Sequence, residues 1–367
     1  MHLNSRKSLA MTAVASALVL AAPAALTTAG AEAATPSPSA PKVLASGLGP
    51  VFQIALRHGT VYYADGAGTI NKLTPSGPKV IATFADASGV EFSRDGKTMA
   101  VAHGSPGASP QAVTLVRKGK PNIVVSTIDY ENKVNPDRNK KYGIVAGGNP
   151  YCVNEIETLT QGPASYTGIK DSHPYQVAAL KGGSFAVAEA GGNDILRIGP
   201  KGGISTIAVL PPQPVKLTAE QAGALGAPHC AGATYAFESV PTDVERGPGG
   251  SLLVSTLPGG PEDPSLGARG SVYLVSKRGH VTRLATGFAG ATNLAYAKGR
   301  IYVSELFAGK VTKLGWGGRK TVLTIAAPLA VEATRKRLYV GTLPGETGPG
   351  QIVSVPRHGV HAVPGKS

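Results

Sequence analysis

Two cysteines and a single tryptophan are all that 367 residues contain, and aromatic side chains make up only 5% of the chain. No H-E-x-x-H, G-x-S-x-G, P-loop or dinucleotide-binding pattern occurs, which excludes the enzyme classes that announce themselves by a local motif. The densest basic clusters, RKGK at Arg117–Lys120 and DRNKK at Asp137–Lys141, have no interleaved aromatics. A nucleic-acid groove needs both, so no nucleic-acid partner is expected. Long apolar runs are equally scarce, and only Leu9–Leu26 approaches membrane-spanning length.

That run follows Arg6 and Lys7 and precedes A-x-A spacings at Ala29–Ala31 and Ala31–Ala33. The order is that of a secretory signal peptide, which predicts export and removal of residues 1–34; an N-terminal anchor is the alternative. Residues 35–41 then read as a short disordered lead. Acids are few, and the net charge of +14 falls only to +13 without the signal. The positive residues are scattered, which suits contact with an anionic cell envelope or polymer, or a merely solvated surface. In an exported chain Cys152 and Cys230 default to a disulfide, with two free thiols as the alternative.

What the chain does have is a repeat. TVYYAD ends at Asp65, TMAVAH at His103, SFAVAE at Glu189, SLLVST at Thr256, RIYVSE at Glu305 and RLYVGT at Thr342. Each is an apolar run that closes on a polar residue and follows a turn signal. Another apolar run lies upstream of each, and two more lie downstream. The shortest spacings are 38 and 37 residues, while 86, 67 and 49 carry insertions. Four short strands about every 40 residues predict an all-β fold, a six-bladed β-propeller of four-stranded blades over residues 42–356, with a tail at 357–367. The segment Lys42–Ser46 would complete the last blade beside Gly350–Val355.

In an up-and-down blade the links from strand two to strand three, and from blade to blade, share one face. All the long insertions fall in those links, at 129–168, 211–237 and 258–270, and Val215–Gly226 within the second reads as a short helix capped by Thr218. Long loops on one rigid face are where recognition is expected. Two polar columns converge there. One is the closing set, with Asp65, His103, Glu189 and Glu305; the other is Gln53, Gln176, Asp243 and Asn293, at the start of strand one, facing the central channel. Together they form the candidate ligand-binding channel mouth. No catalytic set is complete: His103, His173 and His229 are acid–base candidates, and Glu189 with Glu305 a candidate carboxylate pair. No cofactor is required by the sequence. Asp243 and Asn293 suit one calcium or other divalent cation.

HPYQVAAL, AVAEAGGNDILRI, STIAVLPPQPV and SVPTDVERGPGGSLLVSTLPGG, in that order and most strongly over His173–Glu305, resemble the ScyD/ScyE family of exported propeller-like proteins. The resemblance implies export and a propeller, with no assigned reaction and no catalytic residues to carry over. The chain is more distantly similar to NHL-type propellers, gluconolactonase-type hydrolases and streptogramin lyases. Those hydrolases hold one divalent ion with Glu, Asn and Asp; Asp243 and Asn293 match two of the three, and no Glu stands at Gln53 or Gly89. The expected function is therefore a secreted module that binds a small molecule, polymer or protein on the insertion-bearing face without catalysis. The alternative is a metal-dependent hydrolase, lactonase- or esterase-like, or a lyase at the channel mouth.

Overall fold

The computed structural model describes residues 41–104, 110–315, 318–345 and 348–357. The expected signal peptide, the lead as far as residue 40 and the tail beyond 357 lie outside the described residues. The chain folds into seven four-stranded antiparallel sheets. The first strands of six of them neighbour one another in a closed circuit around an axis: Val51–Arg57, Gly89–Phe92, Pro174–Ala179, Pro241–Arg246, Ala291–Ala297 and Pro328–Ala333 open blades 1 to 6 in turn. This ring is a β-propeller. Strand two of each blade ends on the polar residue that marks the repeat, and blade 6 is completed by Lys42–Leu48, which pairs with Gly350–Pro356 from Lys42 opposite Ser354 to Leu48 opposite Gly350. The first strand of the chain thereby covers the outer edge of the last and closes the ring, while Lys42–Leu48 itself forms the outer edge of blade 6.

Period-two alternation places one face of each blade against its neighbour, and six apolar clusters fill the wedges between blades. Alanines such as Ala55, Ala100, Ala178, Ala186 and Ala295 sit in these wedges fully or almost fully buried, where only small side chains fit between strands that converge on an axis.

The seventh sheet is what the repeat does not foretell. Ser165–Thr167, Lys141–Ala146, Thr234–Phe237 and Gln213–Lys216 form it in that spatial order, so the first two insertions, on either side of blade 3, fold together as one module. Three helices belong to this region. Helix α1 (Thr127–Val134) is capped by the Ser126 side chain, α2 (Pro150–Thr160) by Asn149 with proline at its first position, and α3 (Ala219–Ala224) by a Thr218/Gln221 capping box. The helix expected over Val215–Gly226 is thus shorter than its pattern suggests, because Val215 and Lys216 pair with Tyr235 and Thr234 as a strand. Cys152, in α2, bridges to Cys230, and both are fully buried in the module's own apolar core with Ile156, Leu217 and Ala222. The third insertion packs against the module through Arg269, whose guanidinium lies 4.5 Å from the centre of the Phe237 ring.

Candidate functional site

Five of the six first strands carry a β-bulge just inside the insertion-bearing face, as between Val51 and Gln53 or Pro241 and Asp243. A bulge re-aims the side chain that follows it, and here that residue is Gln53, Gln176, Asp243, Asn293 or Ala330. The first four are 0–3% exposed and form a girdle across the channel. Gln53 accepts from the Val90 amide at 2.8 Å and donates to the Val177 carbonyl at 2.8 Å. Gln176 donates back to the Phe52 carbonyl at 2.7 Å and accepts from Asn293 Nδ2 at 2.5 Å. Asp243 accepts from the amides of Val244 and Leu294 at 2.7 and 2.9 Å, and Asn293 Oδ1 from that of Val331 at 2.7 Å. Blade 2 offers glycine instead: a Cβ on Gly89 would lie 2.6 Å from the Tyr175 carbonyl oxygen, so blade 3 approaches too closely for a side chain.

The structure therefore brings Gln53, Gln176, Asp243 and Asn293 together, but their polar atoms are engaged with one another and with main chain. Phe52 and Tyr175, edge to face at 5.7 Å, pack with Val240 and cap the girdle on the insertion-bearing side.

The closing residues are engaged one blade at a time. Asp65 accepts from Thr69 and Asn71 in its own hairpin, and Glu305 from the Ala289 amide at 3.0 Å and from the Thr312 hydroxyl. Glu189 accepts from Ser172 Oγ at 3.0 Å and from the amides of His173 and Gly192; burial raises its carboxyl to about 7. His103 bonds Thr114 Oγ1 at 2.8 Å and lies over Phe84, and burial lowers its pKa. His173 is held down to about 4 by burial against Tyr175, so it is neutral. His229 pairs with Glu155 at 2.5 Å on the surface of the insertion module.

A cavity lies on the other face. About 440 Å³ opens among the short strand one–two turns, lined by Glu91, Glu245, Glu332, Arg94, Arg246 and Tyr296 among others. The three glutamates stand two residues beyond the girdle on strand one of blades 2, 4 and 6, while Ala55, Ala178 and Ala295 hold that position in blades 1, 3 and 5. Acid and alanine alternate around the axis. Each glutamate accepts a hydrogen bond from the next residue's amide, at 2.5 Å for Phe92, 3.2 Å for Arg246 and 2.7 Å for Ala333, which turns all three carboxylates the same way. Desolvation first, and mutual repulsion second, raise Glu91 to about 8 and keep Glu332 well above the ordinary range; burial raises Glu245 to about 7. Glu91 and Glu245 are thus neutral in mild acid and become anionic as pH rises through about 7 to 8.

These three residues were not among the sequence candidates, although the signal was present. Aligned on the girdle position, GVEF, DVER and AVEA all place an acid two residues on, where QIA, QVA and NLA place alanine.

No family model matches the chain, and no curated protein matches it. Solved structures do. A gluconolactonase from Xanthomonas campestris superimposes with a TM-score of 0.53 at 10% identity, over 86% of this chain and 88% of that one. A proposed glucose dehydrogenase-type oxidoreductase from Thermus thermophilus gives 0.52 at 16% identity, over 86% and 99%. At such identities the likeness establishes the propeller fold and nothing finer.

Proposed function

We propose that this chain is an exported propeller of the ScyD/ScyE type that binds a small organic cation in the short-turn cavity and does no chemistry on it. The alternation of Glu91, Glu245 and Glu332 around the axis carries this reading. Three carboxylates aimed at one space, which repel one another when it is empty, favour a ligand that brings positive charge. Arg94 and Arg246 lie nearer the mouth on the same strands or just beyond them, so the outer end of the ligand is polar or anionic. Aromatic surface from Phe92 and Tyr296 adds a face for a cationic group.

This reading puts the ligand on the face opposite the insertions, and the engagement of the girdle residues with one another and with main chain supports it. The insertion module remains available for a polymer or protein partner, with Tyr151, Val145 and Leu159 exposed on it.

The test is native mass spectrometry of the protein exported by its own host. A co-purified amine-containing molecule of a few hundred daltons, missing from a Glu91→Gln/Glu245→Gln/Glu332→Gln variant, is the expected result. A ligand retained by that variant would remove the carboxylates from the account.

A second reading, hydrolysis or elimination in the same cavity, draws on the raised pKa of Glu91, since an acid poised near neutrality suits general acid–base catalysis. Turnover of a lactone that collapses in Glu91→Gln would favour it over binding alone.

A further inference from the structure

In blades 1 and 5 the acid that closes strand two faces a donor across the hairpin. Asp65 is paired with Thr69, whose hydroxyl donates to it at 2.6 Å, and Glu305 with Lys310, whose Nζ lies 3.7 Å away. Blade 3 breaks this rule, for Glu189 is paired with Asp194, and directly paired residues share a face of the sheet. Asp194 is 0% exposed, and neither of its carboxylate oxygens has a hydrogen-bond partner.

Two more acids come from the first insertion, Glu131 on α1 and Asp137 beyond it, 3% and 0% exposed. A Cβ built on Gly192 would lie 2.9 Å from Glu189 Oε2 and 3.1 Å from Glu131 Oε2, so both carboxylates converge on one spot of backbone. Asp137 accepts from Tyr142 and Asn193 at 3.0 and 3.1 Å. The charged groups that act most strongly on Asp194 are other acids, Glu189, Glu131 and Asp137. Burying such a group without a counter-charge is costly.

We propose that a hard divalent cation, calcium by the all-oxygen chemistry, binds here, held by Asp194, Glu189, Glu131 and Asp137, and so ties the insertion module to blade 3. Among the described residues no group of three or more such side chains is placed to hold a metal ion as it stands, so binding requires the ion to draw Asp194 and Glu131 together beside Gly192. Carboxylate oxygens are the ligands calcium selects. The site is separate from the channel cavity and does not depend on the function proposed for it.

The test uses the exported chain, stripped with EDTA and titrated with calcium chloride at pH 7 by calorimetry and thermal unfolding, with terbium luminescence sensitised by Tyr142 as a third readout. One ion per chain, a raised midpoint and terbium emission are expected. Asp194→Asn should weaken binding at least tenfold and quench the emission, whereas Glu220→Gln, at an exposed position of α3, should leave both intact. Should Asp194→Asn fail to fold, Glu131→Gln takes its place. Absence of calcium uptake by the native chain, or uptake unchanged in the variants, overturns the site. So does an Asp194→Asn chain that is more stable than native with or without calcium, the mark of carboxyls that share protons instead.

Discussion

Replacement of Cys152 and Cys230 by serine is expected to lower the thermal midpoint by roughly 8 °C, corresponding to about 4 kcal/mol. The bridge joins residues 78 apart, and the loop it closes contains the whole of blade 3 and two of the four strands of the insertion module. A closed loop of that length restricts the unfolded chain strongly, at a cost that grows with the logarithm of its length. Both sulfurs sit in the module core, so the serines also bury two hydroxyls in apolar surroundings. Scanning calorimetry of the native and double-serine proteins at matched pH measures the difference. A shift below about 2 °C would mean that the module's sheet pairing alone restrains the unfolded chain.

Gln53→Ala is expected to cost about 4 kcal/mol although it removes no charge and little apolar surface. One amide serves three main-chain groups on two other blades: the Val90 amide at 2.8 Å, the Val177 amide at 3.3 Å and the Val177 carbonyl at 2.8 Å. All are buried, and an unmade buried hydrogen bond costs about 1–3 kcal/mol. Ser88→Ala offers the contrast, since its hydroxyl holds chiefly the Tyr175 carbonyl at 2.8 Å, and about 1 kcal/mol is expected. Urea unfolding of the two variants distinguishes a girdle that holds the ring from one that merely fills it. Equal, small losses would contradict the structural role.

Much of the architecture was legible because it is local and repeated. The polar residue after each strand two, the glycine turns and the placing of every insertion in one class of link all follow from reading six similar segments together. The closing strand was suggested over Lys42–Ser46 by the ring, and the Cys152–Cys230 bridge by the default for an exported chain, with free thiols as the alternative; the structure shows the strand over Lys42–Leu48 and the bridge formed. The seventh sheet was not. Its central pairing sets Gly143 opposite Ala236, and blade 3 lies between them in sequence, so no periodicity spans both. Of the channel candidates only Gln53, Gln176, Asp243 and Asn293 come together, while Asp65, His103, Glu189 and Glu305 are engaged blade by blade; the difference depended on reach, for Gln53 and Gln176 are long enough to cross to another blade, and a sequence carries no such distance. The glutamate ring is the opposite case. Its alternation stands in the sequence, but it acquires meaning only when the girdle above it proves closed and the open space lies below.

The most direct test of the channel assignment is a calorimetric titration of the native chain with spermidine and with lysine at pH 8.5 and pH 5, with glucuronate as the anionic control. Burial raises Glu91 to about 8 and Glu245 to about 7, so these two carboxyls are largely ionised at the higher pH and protonated at the lower. A saturable one-to-one isotherm for a cation at pH 8.5 is predicted, weakened at least tenfold at pH 5 and lost in the triple Glu→Gln variant. Glucuronate binding as tightly as the cations, or cation binding indifferent to both pH and the three glutamates, would contradict it.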